Sequence, residues 1–260
     1  MLGMRSVFAS LVILSGLLLV GAVQAGLPPP DTEAGAKAAQ FQAGVAAYRA
    51  HDYATALKEL RPLAEQGFAP AQYNLGVMYY YGQGVPRNYA EAAKWFRMAA
   101  EQGFAPEQNN LGRMYYSGQG VPRNYAEAAK WYRMAAEQGD AEAQYALGWM
   151  YYSGQGVPRN YVEAAKWNRM AAEQGFAPAQ NNLGALYAQG HGVPRNYVEA
   201  YKWRSLALAQ GDNQAGKALD ALTTVMTPAQ IAEAQRLAAA FRPQTTSSAP
   251  AKPPSDTPRP

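Results

Sequence analysis

The stretch GQGVPRNYAEAAKW at residues 82–95 returns letter for letter at 118–131, then as GQGVPRNYVEAAKW at 154–167 and GHGVPRNYVEAYKW at 190–203. Fourteen residues written four times are either a chemical site repeated for dose or a joint between identical parts. Gly82, Gly118, Gly154 and Gly190 recur every 36 residues. A period of that length marks a solenoid of stacked supersecondary units, none of which can cover its own apolar face alone.

Each unit reads as two helices. PAQYNLGVMYYYG (70–82) places Ala71, Leu75, Met78 and Tyr79 on one apolar face, and NYAEAAKWFRMAAEQG (88–103) does the same with Tyr89, Ala92, Phe96 and Ala99. Pro70, Pro106 and Pro178 suit a first helical turn, where a missing N–H costs nothing. Gly103, Gly139 and Gly175 suit a left-handed stop after the second helix. Within the repeated stretch, Gly82 and Gly84 permit a tight exit, and Val85-Pro86 continues in extended form. Asn88 then caps the second helix, Glu91 is placed to reach back as its capping-box partner, and the Arg four residues before each such Glu is placed to pair with it. Trp95, Trp131, Trp167 and Trp203 complete the stretch as core plugs. These residue types make a joint.

Gly76, Gly112, Gly148 and Gly184 fall in mid-helix, where Gly costs about 1 kcal/mol relative to Ala. Repeating that cost implies a helix passing too close for a Cβ. The pattern as a whole predicts an all-α chain, since helix formers dominate and β-branched runs are scarce beyond the first twenty-odd residues.

In AQYNLGVMYYYGQGVPRNYAEAAKWFRMAAEQG, the elements A-x-x-x-L-G-x-x-Y, G-x-G-V, Tyr, Trp and A-A-x-x-G recur in order. This resembles the Sel-one-like repeat, the longer-looped relative of the tetratricopeptide repeat. The resemblance implies a right-handed α-superhelix whose concave face holds other proteins. It divides the chain into repeats at 70–105, 106–141, 142–177 and 178–213. Before them come a tetratricopeptide-like unit at 41–69 and a linker with the start of the first helix at 26–40; closing helices follow at 214–241.

The N-terminus reads as an export signal: Arg5, then the apolar run VFASLVILSGLLLVGAV (7–23), then small residues at a cleavage point after Ala25. A signal peptide at 1–25 implies a periplasmic or secreted chain with no stable membrane insertion once it is removed; an uncleaved anchor is the other reading, since the run is close to bilayer length. The tail RPQTTSSAPAKPPSDTPRP (242–260) is Pro/Ser/Thr-rich, almost devoid of core formers, and is expected to be disordered.

Chemistry is thinly supplied. The chain has no Cys and two His, and the two His are not at ligand spacing. HExxH, SxxK and G-x-S-x-G are absent, and the G-x-G lacks the preceding strand of a nucleotide loop. The net charge of +4 is spread along the chain, which gives no nucleic-acid footprint. The expectation is a monomer without catalytic residues, cofactor or metal, holding a protein or extended peptide.

Where would such a partner sit? If first helices line the concave face, their non-core positions meet it. Leu75, Leu111, Leu147 and Leu183 stay constant, while the column Val77, Arg113, Trp149, Ala185 varies and is expected to be exposed. Arg113 and Trp149 are the leading candidates. The family resemblance adds Asn74, Asn110 and Asn182, because Asn before Leu-Gly holds peptide backbone in some tetratricopeptide domains. Tyr73, Tyr145, Tyr116 and Tyr152 are candidate rigid anchors, with helix packing as their other reading. Stacking of the tyrosines on sugar rings keeps a second function open: a cell-wall or carbohydrate binder or hydrolase.

Overall fold

A computed structural model describes residues 32–244. Among these residues it holds twelve α-helices and no strand, arranged as consecutive packed helix pairs. They fall into two compact units that divide between Arg123 and Asn124, inside the joint of the second repeat. The sequence, with its unbroken period, gave no sign of that division. The expected signal peptide lies outside the described residues, as do the linker up to residue 31 and the tail from residue 245.

The first unit contains α1 (Glu33–Arg49), α2 (Tyr53–Glu65), α3 (Ala69–Tyr81), α4 (Tyr89–Ala100) and α5 (Ala105–Ser117). The second contains α6 (Tyr125–Glu137), α7 (Ala141–Ser153), α8 (Tyr161–Glu173), α9 (Ala177–Gln189), α10 (Tyr197–Ala209), α11 (Asn213–Thr223) and α12 (Pro228–Ala240). No helix of the described residues is long and apolar enough to cross a membrane.

Local chemistry explains the boundaries. Pro sits in the first turn of α3, α5 and α9. The first helix of each of the four repeats ends on a left-handed Gly; Gly82 (φ 72°) closes α3 by donating its N–H to the Met78 carbonyl at 2.9 Å. The Asn88 side chain accepts from the N–H groups of Ala90 and Glu91, as Asn160 does from Val162 and Glu163. The expected reciprocal bond from Glu91 does not form. The Asn88 N–H is already taken by the Tyr79 carbonyl at 2.9 Å, and Asn160 donates likewise to Tyr151. The Arg–Glu pairing is also corrected. Arg87, Arg159 and Arg195 lie over the rings of Tyr89, Tyr161 and Tyr197, 5.5–5.8 Å from the centroids, and the Glu residues face Lys three positions on. The one capping box among the described helices is Thr227 with Gln230, which opens α12.

The cores form where helices from neighbouring repeats meet. Leu75, Leu111, Leu147 and Leu183 are fully buried, and all four Trp of the repeated stretch are buried. A Cβ on Gly76 would stand 2.8 Å from the Phe96 ring; on Gly184 it would stand 2.8 Å from Arg204 Cγ. The helix that passes too close is therefore the second helix of the same repeat. The second glycine of the joint has another reason to be Gly. A Cβ on Gly120 or Gly192 would overlap the carbonyl of Tyr89 or Tyr161, one repeat earlier. The joint thus leans on the repeat before it.

The last described residues depart from expectation. Residues 242–244 are held in place: the Gln244 N–H donates to the Glu173 carbonyl at 2.8 Å.

Candidate functional site

The joint's middle residue, which spacing left without a role, meets tyrosines of the preceding repeat at Gln83, Gln119 and His191. Gln83 accepts from the Tyr48 hydroxyl at 2.6 Å and donates to the Tyr53 hydroxyl at 3.1 Å. One repeat on, the Tyr80 hydroxyl donates to Gln119 at 2.9 Å, and Tyr80 meets Tyr89 edge to face at 5.1 Å. In the second unit the tyrosine pair is Tyr152 and Tyr161, 5.3 Å apart, and the joint residue is His191. Its ring lies flat on Tyr161, centroids 4.5 Å apart at 11°. These clasps fix tyrosines along the C-terminal ends of the first helices. The signal in the sequence was the column itself: Gln83, Gln119, Gln155, then His191.

On this frame the two leading candidates are partly exposed, each in its own unit. Arg113 stands near Tyr81, whose hydroxyl is pushed up to about 12 by burial while the Arg113 charge pulls it down. Trp149 stacks on Tyr152 at 5.9 Å and 26°, and its buried indole N–H has no acceptor among the described residues. Tyr116 and Tyr152 are likewise partly exposed.

Other candidates are corrected by burial. Tyr73 is 3% exposed, with its ring 5.8 Å from Phe96; Tyr145 is 6% exposed, with its ring 5.5 Å from Phe176. Helix packing claims both. Asn110 is buried, and Val77 is buried too, so the variable column is not open along its whole length. Asn74 is partly exposed but spends an amide hydrogen on the Pro70 carbonyl at 2.7 Å in its own helix. Asn182 is partly exposed.

Two further polar columns are structural. Gln72, Gln144 and Gln180 are buried; each donates to a carbonyl eight residues back and accepts from a Gln thirty residues on, at 2.8–3.1 Å. Arg97, Arg133 and Arg169 donate to the hydroxyls of Tyr115, Tyr151 and Tyr187 at 2.6–2.7 Å.

Asp140 caps α7, accepting from the Ala143 N–H at 2.7 Å. Its carboxyl is tightly enclosed although the residue is partly exposed, and that burial pushes it up to about 7. An open pocket of about 420 Å³ in the second unit mixes Arg169, Arg195 and Lys202 with Glu173 and Glu199, beside Tyr187 and Trp203. Glu199 is committed there, accepting from Trp203 Nε1 at 2.9 Å and Lys202 Nζ at 3.2 Å. Among the described residues no three His, Asp or Glu gather where a metal could be held.

The Sel1 repeat matches at residues 69–104, 108–140, 141–176 and 177–212. Among solved structures, a protective antigen present in uropathogenic Escherichia coli strains, displaying an SLR fold, is 36% identical with a TM-score of 0.71. That alignment covers 78% of this chain and 45% of the antigen, so the chain spans under half of that relative. A Sel1 repeat protein from Oxalobacter formigenes is 38% identical with a TM-score of 0.65, over 69% of this chain and 74% of that one. Curated proteins give no match.

Proposed function

Because the chain belongs to the Sel1 repeat family, whose members generally mediate protein–protein interaction and are typically non-catalytic, we propose that it is an exported scaffold holding a protein or extended-peptide partner on its first helices. The observation that carries this reading is the placement of Arg113 and Trp149. Each is partly exposed in the last turns of its helix, Arg113 beside Tyr81 and Trp149 stacked on Tyr152. Trp, Tyr and Arg are the residues that most often dominate binding energy: rigid rings lose little freedom on contact, and a guanidinium offers several donors in a fixed fork. Export rests on Arg5, the apolar run and the small residues before Gly26. Its expected sign is a mature chain beginning at Gly26.

The test is affinity capture from an envelope extract with the full mature chain, against an Arg113→Ala/Trp149→Ala control of equal helicity. A protein retained by the first and lost by the second supports the scaffold. A protein held equally by both removes the first-helix face from the account. A second reading has its own observation: Trp149 on Tyr152 and His191 on Tyr161 are flat stacked pairs in one unit, and flat aromatic faces also suit sugar rings. Retention of peptidoglycan fragments in place of protein, lost on Tyr152→Ala, would favour it.

A further inference from the structure

After α12 the backbone turns extended at Phe241 (φ −64°, ψ 135°) and the chain comes back over its own repeats. Phe241 meets Trp203 edge to face, centroids 5.4 Å apart at 72°. Pro243 then presses on Gly175, its Cβ and Cγ 3.4 Å from where a glycine side chain would begin. Finally the Gln244 N–H donates to the Glu173 carbonyl, one of the last carbonyls of α8, which have no acceptor role within the helix. Four consecutive residues thus seat an aromatic ring, a proline and a backbone N–H on Trp203, Gly175 and Glu173. Behind the seat, Tyr145 and Phe176 meet edge to face at 5.5 Å, in the same apolar cluster as Trp203.

The first unit builds the same seat from the same columns. Phe41 and Phe68 meet edge to face at 5.3 Å, in one cluster with Trp95. Helix α2 ends on Glu65 as α8 ends on Glu173. Gly67 has φ 89° where Gly175 has φ 90°. Here, however, no described atom lies within 4 Å of the Gly67 side-chain position. Trp95 keeps 9% exposure, the most of the four equivalent indoles, against 7% for Trp131 and Trp167 and 5% for Trp203.

We propose that the Trp95–Gly67–Glu65 seat docks an extended aromatic–x–Pro–x segment of a partner protein, in the pose that Phe241–Gln244 takes on the second unit. The chemistry of the occupant is written in that strap. Proline holds the segment extended before it binds and brings no N–H that would be left unpaired. Glycine, with no Cβ, leaves a flat floor for its ring. The residue after proline supplies the donor for a helix-end carbonyl. This surface lies at the ends of second helices, so it stands or falls separately from the Arg113 and Trp149 faces.

The probe is a labelled peptide AAAFRPQTTS, the sequence of residues 238–247, titrated against the full chain by fluorescence polarisation. Binding is expected to saturate. Peptides with Ala for the Phe or for the Pro should bind about tenfold more weakly, the usual loss for an anchor contact. A benzophenone in place of the Phe should cross-link at residues 65–68 or at Trp95. In the full chain, Phe241→Ala should free the strapped seat and raise the stoichiometry by one, while Arg113→Ala/Trp149→Ala should leave binding unchanged. Absence of saturable binding, indifference to both the Phe and the Pro, or cross-links confined elsewhere would each overturn the proposal. Unchanged stoichiometry with Phe241→Ala would overturn the equivalence of the two seats.

Discussion

The same joint closes in two ways. In the first unit, Gln83 and Gln119 hold tyrosine hydroxyls of the preceding repeat through hydrogen bonds. In the second, His191 lies flat on Tyr161 and its buried Nδ1 has no partner among the described residues. Yet Gly120 and Gly192 approach the carbonyls of Tyr89 and Tyr161 in the same manner. Backbone contact therefore sets the spacing between repeats, and the residue between the two glycines can change its chemistry without moving the joint.

The largest effect should come from the plugs that both units share. Trp95→Ala in the first unit and Trp203→Ala in the second should each cost about 3–5 kcal/mol in denaturant unfolding, as for a large buried aromatic. A loss below about 1 kcal/mol in either would show that its indole carries no core, since such values belong to surface sites.

Next come the glycines. Gly120→Ala and Gly192→Ala face both a left-handed backbone, about 1–2 kcal/mol, and overlap with a carbonyl, about 1–3 kcal/mol. Gly103→Ala meets only the first cost, because no described atom lies within 4 Å of its side-chain position. Equal losses at all three would break the claim that backbone contact spaces the repeats.

The second unit also carries a pH response of its own. Phe68 and Phe104 stand before α3 and α5, whereas Asp140 stands before α7. With its value raised from 3.8 to about 7 in the folded state, Asp140 binds its proton more tightly there than in the unfolded chain. Its contribution to stability is full below about pH 4 and declines as pH rises toward 7. In a melting series over pH, Asp140→Asn should flatten that decline. A slope unchanged in the variant would assign it to another group.

The smallest effect is expected from exchanging the clasps. Gln119→His and His191→Gln should each shift stability by under about 1 kcal/mol, the worth of one hydrogen bond or one ring contact. Near-ultraviolet circular dichroism of the tyrosines would register the change of contact. A larger loss would mean that the side chain, and not the backbone, holds the joint.

Much of this architecture could be read from the sequence, because Gly82-to-Gly190 spacing, Trp95 and its repeats, and Pro70 with its equivalents each answer to a local rule. The candidate face was less legible. Periodicity tells which side of a helix Tyr73 and Tyr145 occupy, but not that Phe96 and Phe176 cover them there. Gln72, Gln144 and Gln180 carry no local signal of their role, since a buried amide reveals itself only through the carbonyls that satisfy it. The strap on Trp203 was hidden for another reason: Phe-Arg-Pro-Gln has no partner nearby in sequence, and Glu173 lies some seventy residues before it.

The most direct test of the proposed scaffold is hydrogen exchange on the full chain with and without the partner recovered by capture. Protection concentrated in α5 and α7, around Arg113 and Trp149, is the expected result. Protection confined to the second helices α4, α6, α8 and α10, with α5 and α7 unchanged, would contradict it.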